Sequence, residues 1–513
     1  MASIGVVNAD SPNKQEPSES TNRPKEIYFG VFFDGTDNNM IQKDIARKFR
    51  EKNSKKGDDW ETEVITINDE TFKNGANQPH VQGKGYSNVA LLHSIYRAMS
   101  EDLLKTKRET KDVTIYNIYV EGPGRDTDQK AQIKGLGFGT GKYGVCSMVS
   151  KAVNIIRQRV NAIPQYELSN TDIHFDVFGF SRGATGARLF SYLALRKNGQ
   201  KLGCESEFNE YSAKKYYDGD FLHFLDTLDL KTVTVDFLGI FDTVSSIGGV
   251  TIDSYMHNTT DYGLYSPVMD KVLHTFHLCA MDEFREHFAL TDIGKAVDKN
   301  NNAELFIPGC HTDVGGGYTT GLDEFELSST LNPTLCFPSD KIENKPKNTL
   351  PLSQQTLEKM GWFSASSVEE AKETLERKSV TVEVSRTVLC GYSNIPLAMM
   401  RKRSVQKNVR QTFAQIPPGY QINEILFGTW SKKMMELAQN AKGRMFYYPG
   451  GSYTSSSYAK LRRFLHFSAS NTIGKTFTGG LPTYNPATML YSRFLYKGNI
   501  NDCTRLYMYQ YYL

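Results

Sequence analysis

The chain has 513 residues, of which 60 are Lys or Arg and 57 are Asp or Glu, giving a net charge of +3. This length is too great for one compact core and predicts two to three structural units, while the balanced charge disfavours a nucleic-acid-binding protein. The seven cysteines are scattered and include no Cys-x-x-Cys pair, so neither a zinc site nor a disulfide framework is indicated. This cysteine usage fits folding in a reducing cytosol.

Residues 1–25 are rich in Ser, Pro, Asn, Lys and Glu and contain almost no large apolar side chains. This composition predicts a disordered N-terminal tail. The tail lacks the hydrophobic core of a secretory signal, and no apolar run in the sequence approaches membrane-spanning length. We therefore expect the protein to be soluble when made, and any export would have to use another route.

Apolar β-like segments alternate with helical patterns in the first three fifths of the chain. Five segments read as strands that run into polar or glycine turns: 27–33, 113–120, 173–180, 233–241 and 304–307. Four patterns between them read as helices: 88–104, 144–160, 182–196 and 281–290. This alternation predicts an α/β fold with a doubly wound, mostly parallel sheet, in which functional sites lie at the carboxyl ends of the strands.

The α/β pattern is expected to form one catalytic domain over residues 26–320, with the polar stretch 41–86 as an insertion or long loop. From about residue 320 the alternation is lost, and residues 321–513 read as a C-terminal accessory region, open to a role in membrane or partner contact. Its overall fold does not follow from the sequence. Individual elements are still predicted there, namely a helix at 351–377, a strand at 379–389 and a helix at 424–440.

The pentapeptide Gly-Phe-Ser-Arg-Gly at 179–183 is the chain's one Gly-x-Ser-x-Gly sequence. A predicted strand precedes it and a predicted helix follows it, so Ser181 lies at the apex of a strand-to-helix turn. Such a turn holds the hydroxyl clear of the backbone, and Gly179 and Gly183 let the turn pack without Cβ clashes. Ser181 is the candidate nucleophile; the alternative is a surface serine in a glycine-rich turn.

A nucleophilic serine needs a base, and the base needs an orienting carboxylate. His311 follows the strand predicted at 304–307, on a glycine-lined loop. Asp242 ends the strand predicted at 233–241, so both groups are expected at the carboxyl edge of the sheet. The chain order Ser181, Asp242, His311 is that of α/β-hydrolases and predicts that fold.

The other histidines and two further aspartates are weaker candidates. Three histidines flank or occupy the helix predicted at 281–290 and are interpreted as structural: His274, His277 and His287. His174 begins the nucleophile's own strand and is expected to point away. The remaining histidines have no comparable context: His80, His93, His223, His257 and His466. Asp236 lies mid-strand, and Asp313 is too close to His311 in the chain to approach its ring, so Asp313 is expected to cap or brace the loop.

An oxyanion hole needs two aligned donors. The amide of Arg182 would lie at a helix N-terminus, and a second donor is predicted around Gly35 and Thr36, after the first strand. The alternative for this second segment is a simple Asp/Asn/Gly turn. Asp34 and Asp37 could hold Ca²⁺ or Mg²⁺, but we expect no metal and no cofactor.

The glycine-rich stretch 135–141 is similar to a phosphate-cradling loop, since Gly139, Gly141 and Gly144 have Gly-x-Gly-x-x-Gly spacing. No predicted strand runs directly into it, and Lys142 is followed by Tyr rather than Ser or Thr. A flexible active-site loop is therefore favoured over a nucleotide site.

Five segments in combination resemble one known family. They are Phe-Phe-Asp-Gly-Thr-Asp-Asn-Asn (32–39), Gly-Phe-Ser-Arg-Gly-Ala (179–184), Phe-Asp-Thr-Val (241–244), His-Leu-Cys-Ala-Met-Asp-Glu-Phe-Arg (277–285) and Pro-Gly-Cys-His-Thr-Asp-Val-Gly-Gly-Gly-Tyr (308–318). Together they resemble the catalytic domain of type VI secretion antibacterial lipase effectors, in the branch that carries Gly-x-Ser-x-Gly on an α/β-hydrolase core. The resemblance covers roughly residues 26–320.

The resemblance implies a phospholipase A that is made in the bacterial cytoplasm and delivered by a contractile injection machine into a rival bacterium. There it would hydrolyse membrane phospholipid esters from the periplasmic side. It also implies two protein partners, the spike protein of the machine and a cognate immunity protein. By the same resemblance Ser181, Asp242 and His311 are nucleophile, acid and base.

Two other functions remain open from the sequence. One is a serine hydrolase acting on soluble esters or peptides. The other is a non-enzymatic interaction protein on a hydrolase scaffold, with its activity in the aromatic C-terminal region.

Overall fold

The computed structural model describes, with side chains, residues 23–36, 38, 40, 85–124, 144–196, 225, 228, 230–247, 262–285, 288–298, 301–318, 362, 388, 391–407 and 413–467, plus the backbone of several short strands. The strands in chain order are β1 (Ser3–Gly5), β2 (Lys25–Phe33), β3 (Ile65–Ile67), β4 (Glu70–Phe72), β5 (Asp112–Val120), β6 (Thr171–Phe180), β7 (Thr232–Phe241), β8 (Thr275–Ala280), β9 (Leu290–Thr291), β10 (Ala303–Ile307), β11 (Gly321–Ser328), β12 (Thr381–Val388), β13 (Gly443–Phe446), β14 (Tyr484–Asn485), β15 (Leu490–Tyr491), β16 (Phe494–Tyr496) and β17 (Arg505–Tyr507).

The α-helices are α1 (Asn88–Ile95), α2 (Glu101–Thr110), α3 (Val145–Val160), α4 (Gln165–Leu168), α5 (Arg182–Leu195), α6 (His311–Gly315), α7 (Asn394–Lys407), α8 (Glu424–Asn440) and α9 (Ser456–Arg462). The long pattern predicted at 88–104 is thus two helices. The chain is extended at Tyr96, and the Ser100 side chain caps α2 by accepting from the Leu103 amide at 3.3 Å.

An eight-stranded sheet organises the chain, in the order β1-β5-β2-β6-β7-β8-β10-β13. Seven of its strands pair in parallel, and β1 is an antiparallel edge strand. The predicted α/β class with a mostly parallel sheet is confirmed. All five predicted strands are present, each one or two residues longer at its start than the sequence indicated.

Each face of the sheet is covered by an apolar layer. On one face α3 and α5 pack through small and branched residues, including Val149, Ile156 and Leu189, all fully buried. On the other face α1 and α7 meet a layer rich in aromatic rings, in which Phe32 and Phe178 stack at a centroid distance of 4.9 Å. Both faces of the central strands are therefore dry, which fits their continuous apolar sequences.

The prediction of a helix at 281–290 is wrong. The strand β8 ends at Ala280, the described residues 281–285 form bends and irregular backbone, and β9 begins at Leu290. The apolar residues Met281, Phe284 and Phe288 have helical spacing, and this periodicity alone does not separate a helix from an irregular segment between two buried strands. The strand β8 was not predicted from the sequence, and it lies between β7 and β10 in the sheet.

Two regions that were predicted to be disordered or a loop contain strands, and in a third region one of the two predicted elements is described. Within 1–25, where disorder was predicted, residues 3–5 pair with β5, and 6–22 lie outside the described residues. Within 41–86, β3 and β4 form a hairpin. The strand predicted at 379–389 is β12, which pairs with β11, whereas the helix predicted at 351–377 lies outside the described residues apart from Trp362.

The region after residue 320 extends the main sheet. Its strand β13 pairs in parallel with β10, with Glu304 opposite Arg444. The buried Arg403 of α7 caps the C-terminus of α8, donating to the carbonyls of Ala438, Gln439 and Ala441 at 2.8–3.2 Å. This region thus contributes a strand to the central sheet, which its sequence did not indicate.

Among the helices that the structure describes, none has both the length and the apolar character needed to cross a bilayer.

Arg444 anchors β13 to the sheet through two buried carboxylates. Its Nε donates to Glu304 at 2.7 Å and its Nη2 to Asp292 at 2.6 Å. We predict that Arg444→Met lowers the free energy of unfolding by about 3 kcal/mol, because it leaves two buried acids without their cation. Chemical denaturation would measure this loss.

The control is Lys433→Met, which breaks a solvent-exposed ion pair with Glu436. It should change stability by less than about 1 kcal/mol. Equal losses in the two variants would contradict an anchoring role for Arg444.

Candidate active site

Ser181 occupies a sharp turn between β6 and α5. Its backbone angles, φ 59° and ψ −128°, are uncommon for a residue with a side chain. Its amide donates to the carbonyl of Phe241 at 3.0 Å, and its carbonyl accepts from the Val244 amide at 3.3 Å. The turn that carries the serine is thereby fixed to the turn that follows β7.

The two glycines of this turn lie where the backbone approaches other backbone closely. A Cβ on Gly179 would lie 2.5 Å from the carbonyl oxygen of Gly183. A Cβ on Gly183 would lie 2.2 Å from the carbonyl oxygen of Asp34, in the segment after β2. Gly183 therefore lets the turn and the β2 loop meet, which brings the predicted oxyanion loop to the serine.

Asp242 directly follows β7 and also has left-handed backbone, with φ 47°. Its amide donates to the carbonyl of Leu278 at 2.7 Å, and its Oδ1 accepts from the amide of Ala280 at 2.8 Å. Its Oδ2 lies 2.5 Å from Nδ1 of His311. A carboxylate in this position holds the ring and can stabilise the imidazolium.

His311 is the first residue of α6 and its ring is buried. The ring lies 4.6 Å from the ring of Phe180 and 5.0 Å from that of Phe288, between centroids. Burial lowers the pKa of His311, and the hydrogen bond and charge of Asp242 offset part of that decrease. The imidazole is thus neutral, and available as a base, at physiological pH.

The Glu283 carboxylate holds the start of α6, the helix that begins with His311. Its Oε2 accepts from the amide of His311 at 3.2 Å, and both of its oxygens accept from the Arg285 guanidinium at 2.9 Å. The Arg285 guanidinium in turn lies 3.4 Å from the centroid of Phe288. No role for Glu283 or Arg285 was predicted from the sequence, although both belong to the segment 277–285 that carried part of the family resemblance.

Asp313 braces the loop around His311 (residues 308–313, the base loop), as the sequence predicted. Its Oδ2 accepts from the Cys310 amide at 3.0 Å. It also accepts from the His466 amide at 2.9 Å, and its Oδ1 lies 2.7 Å from Nδ1 of His466. No role for His466 could be predicted from the sequence, because its partner lies 153 residues earlier in the chain.

A second contact of this type holds the residues just before the base. The buried carboxylate of Asp282 accepts from the Gly309 amide and from the Tyr458 hydroxyl, each at 2.8 Å, and from the Tyr453 hydroxyl at 3.1 Å. The Tyr392 hydroxyl donates to the carbonyl of Pro308 at 2.6 Å. The base loop is therefore supported by the region after residue 390 as well as by β8.

The predicted oxyanion residues lie around the serine turn. The Gly35 amide donates to Oδ1 of its neighbour Asp34 at 2.7 Å. The Thr36 hydroxyl accepts from Nη1 of Arg182 at 3.4 Å, while Nε of Arg182 donates to the carbonyl of Ser246 at 2.9 Å. The amide of Arg182 is the first of α5, where the helix dipole favours an anion. In this geometry Gly35 can serve an oxyanion only after Asp34 releases its amide.

Two other expectations concern ligands. Asp34 accepts from the Tyr119 hydroxyl at 2.5 Å as well as from its neighbouring amide, and Asp37, its proposed partner for Ca²⁺ or Mg²⁺, lies outside the described residues. The glycine-rich stretch 135–141 also lies outside them.

One group of described side chains has metal-ligand chemistry: His277, Cys279 and Glu304, with candidate ligand atoms within 4.8 Å of one another. However, Nε2 of His277 accepts from the Thr243 amide at 3.1 Å, so in the neutral ring the proton is on Nδ1. That Nδ1 lies 2.9 Å from Glu304, which also binds the Arg444 cation. Because the ring nitrogens and Glu304 are already engaged, this cluster does not fit a metal ion.

Three other described histidines have structural surroundings, namely His174, His93 and His277. His174 lies 3.1 Å from Asp236, through Nδ1 and Oδ2, and stacks on Tyr28 at 4.7 Å, well before the carboxyl end of β6. His93 is buried in α1, and burial lowers its pKa to about 4. His277, interpreted from sequence as structural, lies within β8 rather than beside a helix.

A mostly parallel sheet with a serine at a strand-to-helix turn and a His–Asp pair at the same edge defines an α/β-hydrolase-like protein. The family model described as "T6SS, Phospholipase effector Tle1-like, catalytic domain" matches residues 62–335, more than half of the chain. The chain therefore belongs to the Tle1-like phospholipase effector family of the type VI secretion system (T6SS), which confirms the family resemblance seen in the sequence.

Two solved structures show a more distant likeness. One, described as the Tle1 effector bound to the VgrG spike of the type VI secretion system, is 18% identical, covers 92% of this chain and 91% of its own, and has a TM-score of 0.43. The other, an uncharacterized protein from Pseudomonas aeruginosa, is 18% identical, covers 57% and 42%, and has a TM-score of 0.25. At these TM-scores neither likeness bears on the assignment of residues. No curated protein sequence matches the chain.

The close approach at Gly183 gives a test of the serine turn. We predict that Gly183→Ala lowers kcat on the order of 100-fold, because the new Cβ displaces the β2 loop or the turn itself. The matched control is Gly186→Ala on the same helix, where the nearest atom to the new Cβ is Sδ of Met148 at 3.4 Å. Comparable activity in the two variants would show that this approach is not needed.

Proposed function

We propose that this protein is a phospholipase A of the serine esterase type, which hydrolyses membrane phospholipid esters through Ser181, His311 and Asp242. The observation that carries the proposal is the 2.5 Å contact between His311 Nδ1 and Asp242 Oδ2, at the sheet edge that bears Ser181. Membership of a phospholipase effector family supports the substrate class. The family alone specifies neither the serine mechanism nor the ester bond that is cut.

Backbone hydrogen bonds and one ring contact link the segments that carry the three groups at this edge. The Ser181 and Asp242 turns exchange backbone hydrogen bonds on both sides of the serine, through Phe241 and Val244. The ring of Phe180, the residue before the serine, contacts the His311 ring. These contacts support a common location for the proposed nucleophile, acid and base, which acyl transfer by a serine requires.

The proposed reaction has two steps. His311 Nε2 takes the Ser181 hydroxyl proton while Oγ bonds to the ester carbonyl carbon, and Asp242 stabilises the imidazolium. The Arg182 amide, with a second donor in the Gly35–Thr36 segment, holds the oxyanion. The carbon–oxygen ester bond then breaks, and His311 returns its proton to the lysophospholipid oxygen. In the second step a water molecule, deprotonated by His311, attacks the acyl-enzyme and releases a fatty acid and free Ser181.

The family also guides the proposed biological setting. As a type VI effector, the protein would be made in the producing cell's cytoplasm and loaded onto the spike of the secretion machine. It would act on the membranes of a rival bacterium from the periplasmic side, and a cognate immunity protein would protect the producer. We propose no cofactor and no nucleic-acid partner, because the reaction above needs only the side chains named.

Removal of each reacting group tests the mechanism. We predict that Ser181→Ala and His311→Ala reduce hydrolysis of phospholipid vesicles to background, and that Asp242→Asn lowers kcat about 10⁴-fold. Mass spectrometry of the products should show free fatty acid and lysophospholipid in equal amounts. Unchanged lysis or toxicity by Ser181→Ala would favour a non-enzymatic scaffold. A preference for a short p-nitrophenyl ester over vesicles would favour a hydrolase of soluble esters.

The surroundings of His311 predict its pH profile. The base must be neutral to accept the serine proton, and burial holds the pKa of His311 below its ordinary value of 6.5. The acid side of the kcat/KM profile should therefore have its midpoint below pH 6.5, and activity should persist into mildly acidic buffer. A midpoint above 6.5 for a residue shown to be His311 would contradict this environment.

A further inference from the structure

The segment 277–285 contains His277, a buried histidine that has no part in the reaction proposed above. Its side chain has no exposed surface. It lies in β8, opposite Glu304 of β10, and the neighbouring strand on the other side is β7, which ends next to Asp242. His277 therefore lies between the turn that carries Asp242 and the outer strands β10 and β13.

The hydrogen bonds of His277 determine where its proton lies. The Thr243 amide donates to Nε2 at 3.1 Å, so this nitrogen carries no proton. Nδ1 lies 2.9 Å from Oε1 of Glu304 and donates to it. Burial alone would raise the pKa of Glu304, but the His277 hydrogen bond and the Arg444 cation lower it to about 2, so the acceptor is an ionised carboxylate. Glu304 thus fixes the tautomer that leaves Nε2 free to accept.

The amide that His277 binds belongs to the residue after Asp242. Asp242 has left-handed backbone, which is unfavourable for a residue with a side chain and persists only where its surroundings hold it. The Thr243 carbonyl accepts from the Thr291 amide at 2.9 Å, and the Asp242 amide donates to the carbonyl of Leu278. The Thr243 amide bond is made to a side chain, that of His277, whereas the other two bonds join backbone amides to backbone carbonyls.

We propose that His277 is a positioning residue for the catalytic acid. Held in its Nδ1–H form by Glu304, it binds the Thr243 amide and so fixes the turn that presents Asp242 Oδ2 to His311. This inference rests on the proposed triad. It predicts that loss of the Nε2 acceptor weakens the Asp242–His311 contact without altering substrate binding.

Two near-isosteric variants separate the two nitrogens. A Gln carbonyl can reach the place of Nε2, whereas an Asn side chain reaches only the place of Nδ1. We expect His277→Gln to keep kcat within about 5-fold of the parent and His277→Asn to lose on the order of 100-fold, since small displacements of catalytic groups have effects of this size. KM should stay unchanged in both.

The pH profile adds a readout that loss of packing would not give. The groups facing His311 include Asp242, Glu283 and Arg285, and the Asp242 bond raises the pKa of His311. If Asp242 is displaced in His277→Asn, the acid midpoint of kcat/KM should move to lower pH, and it should stay in place in His277→Gln. Matched controls are His174→Gln and His174→Asn, because His174 also pairs with a carboxylate but lies away from the site.

The outcomes distinguish this inference from the proposed function. If the parent protein shows no esterase activity, or Asp242→Asn keeps it, the triad fails. If the triad holds but both His277 variants lose activity equally, or His277→Asn keeps full activity, the positioning role is overturned.

A measurement on the parent protein covers the case in which His277→Asn does not fold. Nitrogen-15 NMR of labelled histidines, with the His277 signal assigned by its loss in His277→Gln, should show the neutral Nδ1–H tautomer at neutral pH. A proton on Nε2 would overturn the proposal.

Discussion

The proposed site depends on a contact that crosses the end of a strand. Asp242 follows β7 and His311 follows β10, and β8 lies between these two strands. The two side chains therefore meet above the carboxyl end of β8, whose Ala280 amide binds the Asp242 carboxylate. Three residues further along the chain, the Glu283 carboxylate accepts from the His311 amide. One short segment thus sets the position of both partners in the 2.5 Å contact.

The region after residue 320 takes part in the same support. His466 binds Asp313, and the hydroxyls of Tyr453 and Tyr458 bind Asp282, which itself accepts from the Gly309 amide just before His311. Arg444 of β13 binds Glu304, and Glu304 orients His277. The buried acids in these contacts would be costly without their partners. Folding of residues 391–467 and formation of the site are consequently coupled, although all the proposed reacting groups precede residue 320.

How far sequence could predict this arrangement depends on the distance between interacting residues. The serine turn is local, since strand, glycines and helix are contiguous, and its geometry could be inferred residue by residue. The choice of Asp242 and His311 used the rule that strand ends share an edge, which needs only the strand assignments. The supports could not be inferred: β8 is only 6 residues long and was not predicted as a strand, and Asp313 and His466 are 153 positions apart. The density of polar residues in 277–285 was the available signal.

The ring nitrogens of His277, His466 and His311 have different hydrogen-bond partners. These partners discriminate among candidates for the general base that the sequence could rank only by context. His277 accepts a backbone amide at Nε2 and donates from Nδ1, so it cannot take a proton from a serine without breaking the Thr243 bond. His466 pairs its Nδ1 with a loop-bracing carboxylate whose other oxygen accepts two backbone amides. His311 pairs Nδ1 with the strained Asp242 turn, which itself shares hydrogen bonds with the Ser181 turn. A general base needs one nitrogen held by an acceptor, and among these three histidines His311 is the one whose Nδ1 is held by the carboxylate next to the Ser181 turn, which is why it is the proposed base.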